Sequence, residues 1–274
     1  MDFYNQLLAQ KLSGGGGGDS NATFKAYVDG SLTEISTEAI KGVTSIRDYA
    51  FYHLLSLTSV TIPNSVTSIG NNAFSYCTNL VSQTMSNSVT SIGEYAFYYC
   101  GKLSSVTIPS SVISLGAFAF SNCTSLTSVT IPNSVINISA SAFQYCSNLA
   151  SLEIQNNVKS IGNYAFQTCI NLTSVTIPSS VTAIGQYSFA GCSKLTSIII
   201  PSSVTSIGAD AFFSCQSLSS VTVEAISPPT LGNSAFGWTS SSLVIYVPAE
   251  SVETYKADSG WSTYADKIQA IPSG

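Results

Sequence analysis

The sequence predicts a repeat solenoid, α/β to mainly β, in which 23-residue units stack parallel strands on one face and return through short helical turns. Three observations carry that expectation. The cysteines Cys77, Cys100, Cys123, Cys146, Cys169, Cys192 and Cys215 recur at a constant interval of 23 residues. Phenylalanine keeps the interval at Phe51, Phe74, Phe97, Phe120, Phe143, Phe166, Phe189 and Phe212, and leucine keeps it at Leu57, Leu80, Leu103, Leu126, Leu149, Leu172, Leu195 and Leu218, which makes eight units. Only 8% of residues are charged while 45% are hydrophobic, so the solvent-facing positions are filled by Ser, Thr and Asn.

One unit, counted from its leucine, reads Leu103, Val106, Ile108, Pro109, Val112, Leu115, Gly116, Ala119, Phe120, Cys123. Val106 and Ile108 alternate with Ser105 and Thr107, the period-two pattern of a strand with one buried face. Proline has a fixed φ and no N–H, so Pro63, Pro109, Pro132, Pro178 and Pro201 end each strand and turn the chain. The Ala-Phe-x-x-Cys portion leaves room for one short helical turn. A unit this small cannot bury its own apolar face, so stability has to come from stacking. At the parallel-strand spacing of about 4.8 Å, eight turns extend roughly 40 Å.

The spacing Leu-x-x-Val-x-Ile-Pro-x-x-Val-x-x-Ile-Gly-x-x-Ala-Phe-x-x-Cys resembles the BspA-type leucine-rich repeat of bacterial surface proteins, over roughly residues 43–223. The resemblance implies a right-handed leucine-rich-repeat solenoid and a cell-surface or host-interaction role, including binding to extracellular matrix proteins. Gln83, Met85 and Ser86 depart from the usual Val, Ile and Pro, Ser139 from Gly, and Gln155 from Pro. These departures bear on local packing. The segment with Leu243–Pro248 and then Tyr255, Trp261 and Tyr264 also looks like the end of such proteins and reads as a C-terminal cap.

The expected organisation is a short helix and polyglycine linker at 1–18, an N-terminal cap at 19–42, the repeats at 43–223 and a C-terminal cap at 224–274. Phe3, Leu7, Leu8 and Lys11 lie at helical spacing, and Gly14 to Gly18 form a tether. Asn21 to Ile35 alternates around Asp29-Gly30, as a capping hairpin would. Asp2, Asn5, Gln6 and Gln10 interrupt any signal-peptide core, so conventional secretion is not expected.

Catalysis finds little support. At one thiol per unit, the cysteines form a stacked core column instead of the clustered spacing of a metal site, and seven free buried thiols are expected. The single histidine, His53, is expected on the surface, with no triad partner in sight. Glu94, Glu153, Asp210 and Glu224 lie in different units, and the glycine run lacks the Gly-Lys-Ser/Thr ending of a phosphate loop. No catalytic residue, metal or cofactor is assigned. The formal charge of −5 disfavours nucleic acid, and no apolar run approaches the roughly 20 residues of a membrane span.

Two surfaces remain. The solvent side of the strands is a hydroxyl lattice, with pairs such as Ser105/Thr107 and Ser128/Thr130, interrupted by Glu153 and Ile199. Around the Ala-Phe-x-x-Cys turn lies a ridge containing Tyr49, Tyr52, Tyr76, Tyr95, Tyr98, Tyr99, Phe118, Tyr145, Tyr164 and Tyr187. Tyrosine offers large contact area at low entropy cost. The expected partner-binding residues are therefore Tyr76, Tyr95, Tyr98, Tyr99, Tyr145, Tyr164 and Tyr187. The expected function is a non-enzymatic recognition module for a protein or glycan surface. Two alternatives remain open: a phage tail-associated subunit attached to a larger assembly through Met1 to Leu12, and an intracellular scaffold.

Overall fold

The computed structural model describes residues 32–35 and 42–272. The readings placed on Met1 to Leu12, on Gly14 to Gly18 and on the hairpin around Asp29-Gly30 lie outside these residues.

Each unit contributes one rung to two parallel sheet walls. In the first wall, four-residue strands such as Ser59–Ile62, Ser82–Met85, Ser128–Ile131, Ser151–Ile154, Ser197–Ile200 and Ser220–Val223 pair in register. Ser59 sits opposite Ser82, Ser128 opposite Ser151 and Ser197 opposite Ser220. Their second and fourth residues are buried while the first and third face outward, as the alternation requires. The second wall is made of two-residue strands from Ser45–Ile46 to Thr230–Leu231, parallel and in register within two runs that part between Ser114–Leu115 and Asn137–Ile138. Beyond the eighth phenylalanine the first wall continues, through Val244–Val247 and Ile268–Ala270.

The third side corrects the expectation of a helical turn. In the unit around Phe97, the N–H groups of Tyr95, Phe97 and Tyr99 donate to Ala117, Ala119 and Ser121 in the next rung. The intervening N–H groups of Ala96, Tyr98 and Cys100 bond back to Gly93, Tyr95 and Phe97. A helix would direct every N–H along its own axis; here alternate donors serve the neighbouring rung, so the turns form a ladder of their own. The alternation places two residues per turn in the left-handed region, for instance Tyr95 at φ 56° and Tyr99 at φ 58°.

Inside, Phe51, Phe74, Phe97, Phe120, Phe143, Phe166, Phe189, Phe212 and Phe236 form one column, with ring centroids 5.0–5.6 Å apart and planes within 15°. Trp261 and Tyr264 close its end against Phe236. Trp261 Nε1 donates to Pro229 O and Tyr255 Oη to Ala225 O, which satisfies the polar atoms of both buried rings. A short helix, Val252–Ala257, carries Tyr255.

The recurring glycine position has a steric cause: a Cβ on Gly116 would lie 2.4 Å from the Gly93 carbonyl carbon and the Glu94 nitrogen. Most departures from the repeat supply a hydrogen bond to the neighbouring rung. Ser86 Oγ donates to Pro63 O, Gln155 Oε1 accepts the Asn133 N–H, and Ser139 Oγ donates to Leu115 O. Gln83 does not; it is buried in the Val position with neither amide atom hydrogen-bonded.

The first wall is interrupted at residues 105–108 and 174–177, although both read Ser-Val-Thr-Ile, the same sequence as the paired Ser59–Ile62 and Ser128–Ile131. The difference therefore lies in their surroundings. The rung before each interruption holds Gln83 or Leu152 in the Val position, whereas the rung with Ile198 there is followed by a paired strand.

Candidate binding surface

Counting each unit from its leucine, the ridge consists of positions 16, 19 and 20. Positions 16 and 20 are the two left-handed residues of each turn: Tyr49, Tyr95, Phe118, Tyr164 and Tyr187 occupy the first, and Tyr76, Tyr99 and Tyr145 the second. Left-handed backbone costs a non-glycine residue about 1–2 kcal/mol. The inter-rung hydrogen bond from each such N–H and the stacking of rings along the ladder offset that cost.

The structure brings Tyr76, Tyr95, Tyr98 and Tyr99 together. Tyr76 and Tyr99 stack at 5.1 Å, and Tyr95 stacks on Phe118 at 4.7 Å. Tyr98, at position 19, stands edge-on between the two columns, 5.5 Å from Tyr76, 5.3 Å from Tyr95 and 4.6 Å from Tyr99. Tyr49, Tyr52 and His53 extend this cluster toward the first rung. Tyr164 and Tyr187 form a separate stacked pair at 5.1 Å. Tyr145 has no ring partner among the described residues and is 42% exposed.

Burial, reinforced by the neighbouring phenols Tyr76, Tyr99 and Tyr95, pushes the Tyr98 hydroxyl up to about 12. A hydrogen bond to Asp210 and the charge of that carboxylate raise Tyr187.

One residue of this kind escaped the sequence reading. Trp238 stands at the left-handed position of the turn after Phe236, with φ 56° and 77% exposure, tilted against Phe213 at 6.2 Å. Its unit is one residue longer, which removes it from the 23-residue columns. The signal was the motif Leu231-Gly232-x-x-Ala235-Phe236, which repeats the turn in shifted register.

The remaining chemistry is sparse. All seven thiols are buried, and each Sγ donates to a phenylalanine carbonyl of the preceding rung. Burial raises every one of them, Cys77, Cys146 and Cys215 to about 12, so no thiolate nucleophile is available near neutrality. His53 is exposed, with Tyr52 and Tyr76 as its ring neighbours among the described residues. Among the described residues, no group of His, Cys, Asp or Glu is arranged to hold a metal ion, and no helix is long and apolar enough to cross a membrane. An open depression of about 610 Å³ follows the glycine side, lined among others by Asp48, Ser68, Ser91, Glu94 and Ser114. The ridge thus offers non-covalent contact area, in aromatic edges, hydroxyls and a few exposed faces.

Comparison with known proteins gives the same architecture. The profile of the BspA type leucine-rich repeat region matches six copies over residues 44–173 and 159–259. A leucine-rich repeat protein from Bacteroides ovatus is 30% identical with a TM-score of 0.60, over 75% of this chain and 59% of its own length. A leucine-rich cell surface protein from Faecalibacterium prausnitzii is 30% identical with a TM-score of 0.51, over 91% of this chain and 72% of its own. The leucine-rich repeat protein of T. pallidum is 32% identical with a TM-score of 0.54, over 59% of this chain and 76% of its own. The chain therefore spans well under two thirds of the Bacteroides ovatus protein. No curated protein shows significant similarity to it.

Proposed function

The chain belongs to the BspA type leucine-rich repeat family, and from that premise we propose that it is a non-enzymatic recognition module whose tyrosine ridge contacts a macromolecular partner at a cell surface. The observation that carries the reading is the continuous aromatic cluster from Tyr49 to Phe118 along one side of the solenoid, in which Tyr49, Tyr76, Tyr95, Tyr99 and Phe118 stand on left-handed backbone and Tyr52 and Tyr98 link them. Bulky residues at positive φ carry a backbone cost that Gly or Asn would reduce, and such cost concentrates at functional sites. Within the cluster Tyr49 and Tyr99 are exposed and the other rings half-buried, and grouped aromatic side chains are enriched at interface centres. The cell-surface part draws on the similarity to the Faecalibacterium prausnitzii cell surface protein.

The test is a binding profile of the purified protein on an array of immobilised extracellular matrix proteins and glycans. The triple variant Tyr76→Ala, Tyr98→Ala, Tyr99→Ala is expected to lose the binding that the wild type shows, with its circular dichroism unchanged. Retention of that binding by the folded variant would overturn the assignment of the ridge.

A further inference from the structure

The tyrosine ladder has an unfilled rung. At position 20 the order is Tyr76, Tyr99, Asn122, Tyr145, so one asparagine separates two rings that are 41% and 42% exposed. The rungs are in register there, because Tyr99 N–H donates to Ser121 O, Asn122 N–H to Gln144 O and Tyr145 N–H to Gln167 O. At position 19 of the intervening rung stands Ser121, fully buried, where the previous rung has Tyr98. Nothing as large as a ring therefore lies over Asn122 from that position. Asn122 Nδ2 donates to Ser121 Oγ at 3.0 Å, and its Oδ1 accepts no hydrogen bond from the described residues.

Resting on the ridge as the contact surface, we propose that Tyr99, Asn122 and Tyr145 form a slot for one pyranose ring of a glycan. Along most of the ladder ring faces are already used, since Tyr76 covers Tyr99 on one side and Tyr95 and Phe118 cover each other. At the vacant rung two tyrosines keep a face without a stacked ring toward a shared gap, and the step Tyr49, Asn72, Tyr95 at position 16 repeats the pattern beside the edge-on rings of Tyr52 and Tyr98. Two rungs of a parallel ladder are roughly 10 Å apart, so a guest midway lies about 5 Å from each ring. That exceeds the roughly 3.5–4.0 Å at which flat carbon frameworks touch. A pyranose chair is puckered and carries axial C–H bonds on both faces, which fill the extra width and meet the electron-rich faces of the tyrosines. Its equatorial hydroxyls lie in the ring plane, where Asn122 Oδ1 can accept from one of them.

The experiment titrates wild-type protein with soluble cello-, laminari-, manno- and chito-oligosaccharides and with N-acetyltryptophanamide, observing ligand signals by saturation-transfer NMR. At least one oligosaccharide is expected to bind at millimolar concentration through the C–H bonds of a single ring. Asn122→Tyr completes the ladder with the residue used on both flanking rungs, and should abolish that binding with the melting temperature preserved. Tyr145→Ala removes one wall and should abolish it as well, so the outcome does not depend on one variant folding. No oligosaccharide binding, binding of the indole alone, or sugar binding that survives both substitutions overturns the slot. The ridge reading fails separately: binding on the array that is lost in the Tyr76, Tyr98, Tyr99 triple variant and kept in Asn122→Tyr would retain the ridge and discard the slot.

Discussion

The Sγ of Cys123 donates to the carbonyl oxygen of Phe97 at 3.3 Å, across the boundary between two rungs. The same oxygen accepts the N–H of Cys100 within its own turn. Each phenylalanine carbonyl in the column from Phe74 to Phe189 is satisfied in this double way, by its own turn and by the next thiol. Cysteine suits the position because it is small, mostly apolar and still a donor.

The buried thiols have two measurable consequences. In native protein at pH 8 a thiol reagent such as DTNB should react with none of the seven, and with all seven after denaturation. The second concerns alkali. Each folded thiol titrates above its unfolded counterpart, to about 12 for Cys77, Cys146 and Cys215 against an ordinary value near 9. Their stability is intact below pH 9 and is lost as pH rises from 9 toward 12, at up to about 1.4 kcal/mol per thiol per pH unit. Urea midpoints measured from pH 8 to 11 should fall steeply, and replacing Cys123 and Cys146 with Ala should make the slope shallower.

The inward and outward sides of the turn differ in their tolerance. Phe143 is fully buried between Phe120 and Phe166, so Phe143→Ala should cost about 3–5 kcal/mol. Tyr145 is exposed two residues later, and Tyr145→Ala should stay within about 0.5 kcal/mol. Equal losses in denaturant unfolding would contradict the placement of the column.

Gln83 is expected to weaken the wall it sits in. Its amide is buried without a partner, beside Val60 in register, and the following rung leaves the sheet. Gln83→Val should raise stability by about 1–3 kcal/mol. Hydrogen exchange should be faster at residues 105–108 than at Ser128–Ile131 in the wild type, and this difference should narrow in the variant.

The glycine side gives a sharper steric contrast. Gly116→Ala forces a Cβ against the backbone of Gly93 and Glu94, and should cost about 1–3 kcal/mol. At Ser139 a Cβ is already accommodated and the hydroxyl bonds to Leu115 O, so Ser139→Gly should lose only about 1 kcal/mol. Thermal melts of the two single variants measure the difference.

Much of this architecture was legible because stacking translates a constant interval into a column: the phenylalanine, leucine and cysteine columns and the outward Ser-Thr pairs follow directly from the 23-residue period. Backbone handedness was not. Left-handed turns are usually marked by Gly or Asn, whereas Tyr95, Tyr99 and Tyr145 occupy them here, so the Ala-Phe-x-x-Cys portion read as helical. Nor could identical Ser-Val-Thr-Ile segments reveal that two of them leave the ladder, because their own residues do not distinguish them. The ridge tyrosines were visible as a group, but which of them stack, and where a rung is missing, depends on register between turns. Trp238 was hidden by one inserted residue.

The central claim, that the ridge and not the strand face is the contact surface, is tested most directly by hydroxyl-radical footprinting with mass spectrometry, comparing free protein with protein saturated by an array-identified binder. Protection is expected at Tyr49, Tyr76, Tyr99 and Tyr145, with labelling at Ile199 and Tyr246 unchanged. Protection of Ile199 and Tyr246 with the tyrosine ridge still labelled would contradict it.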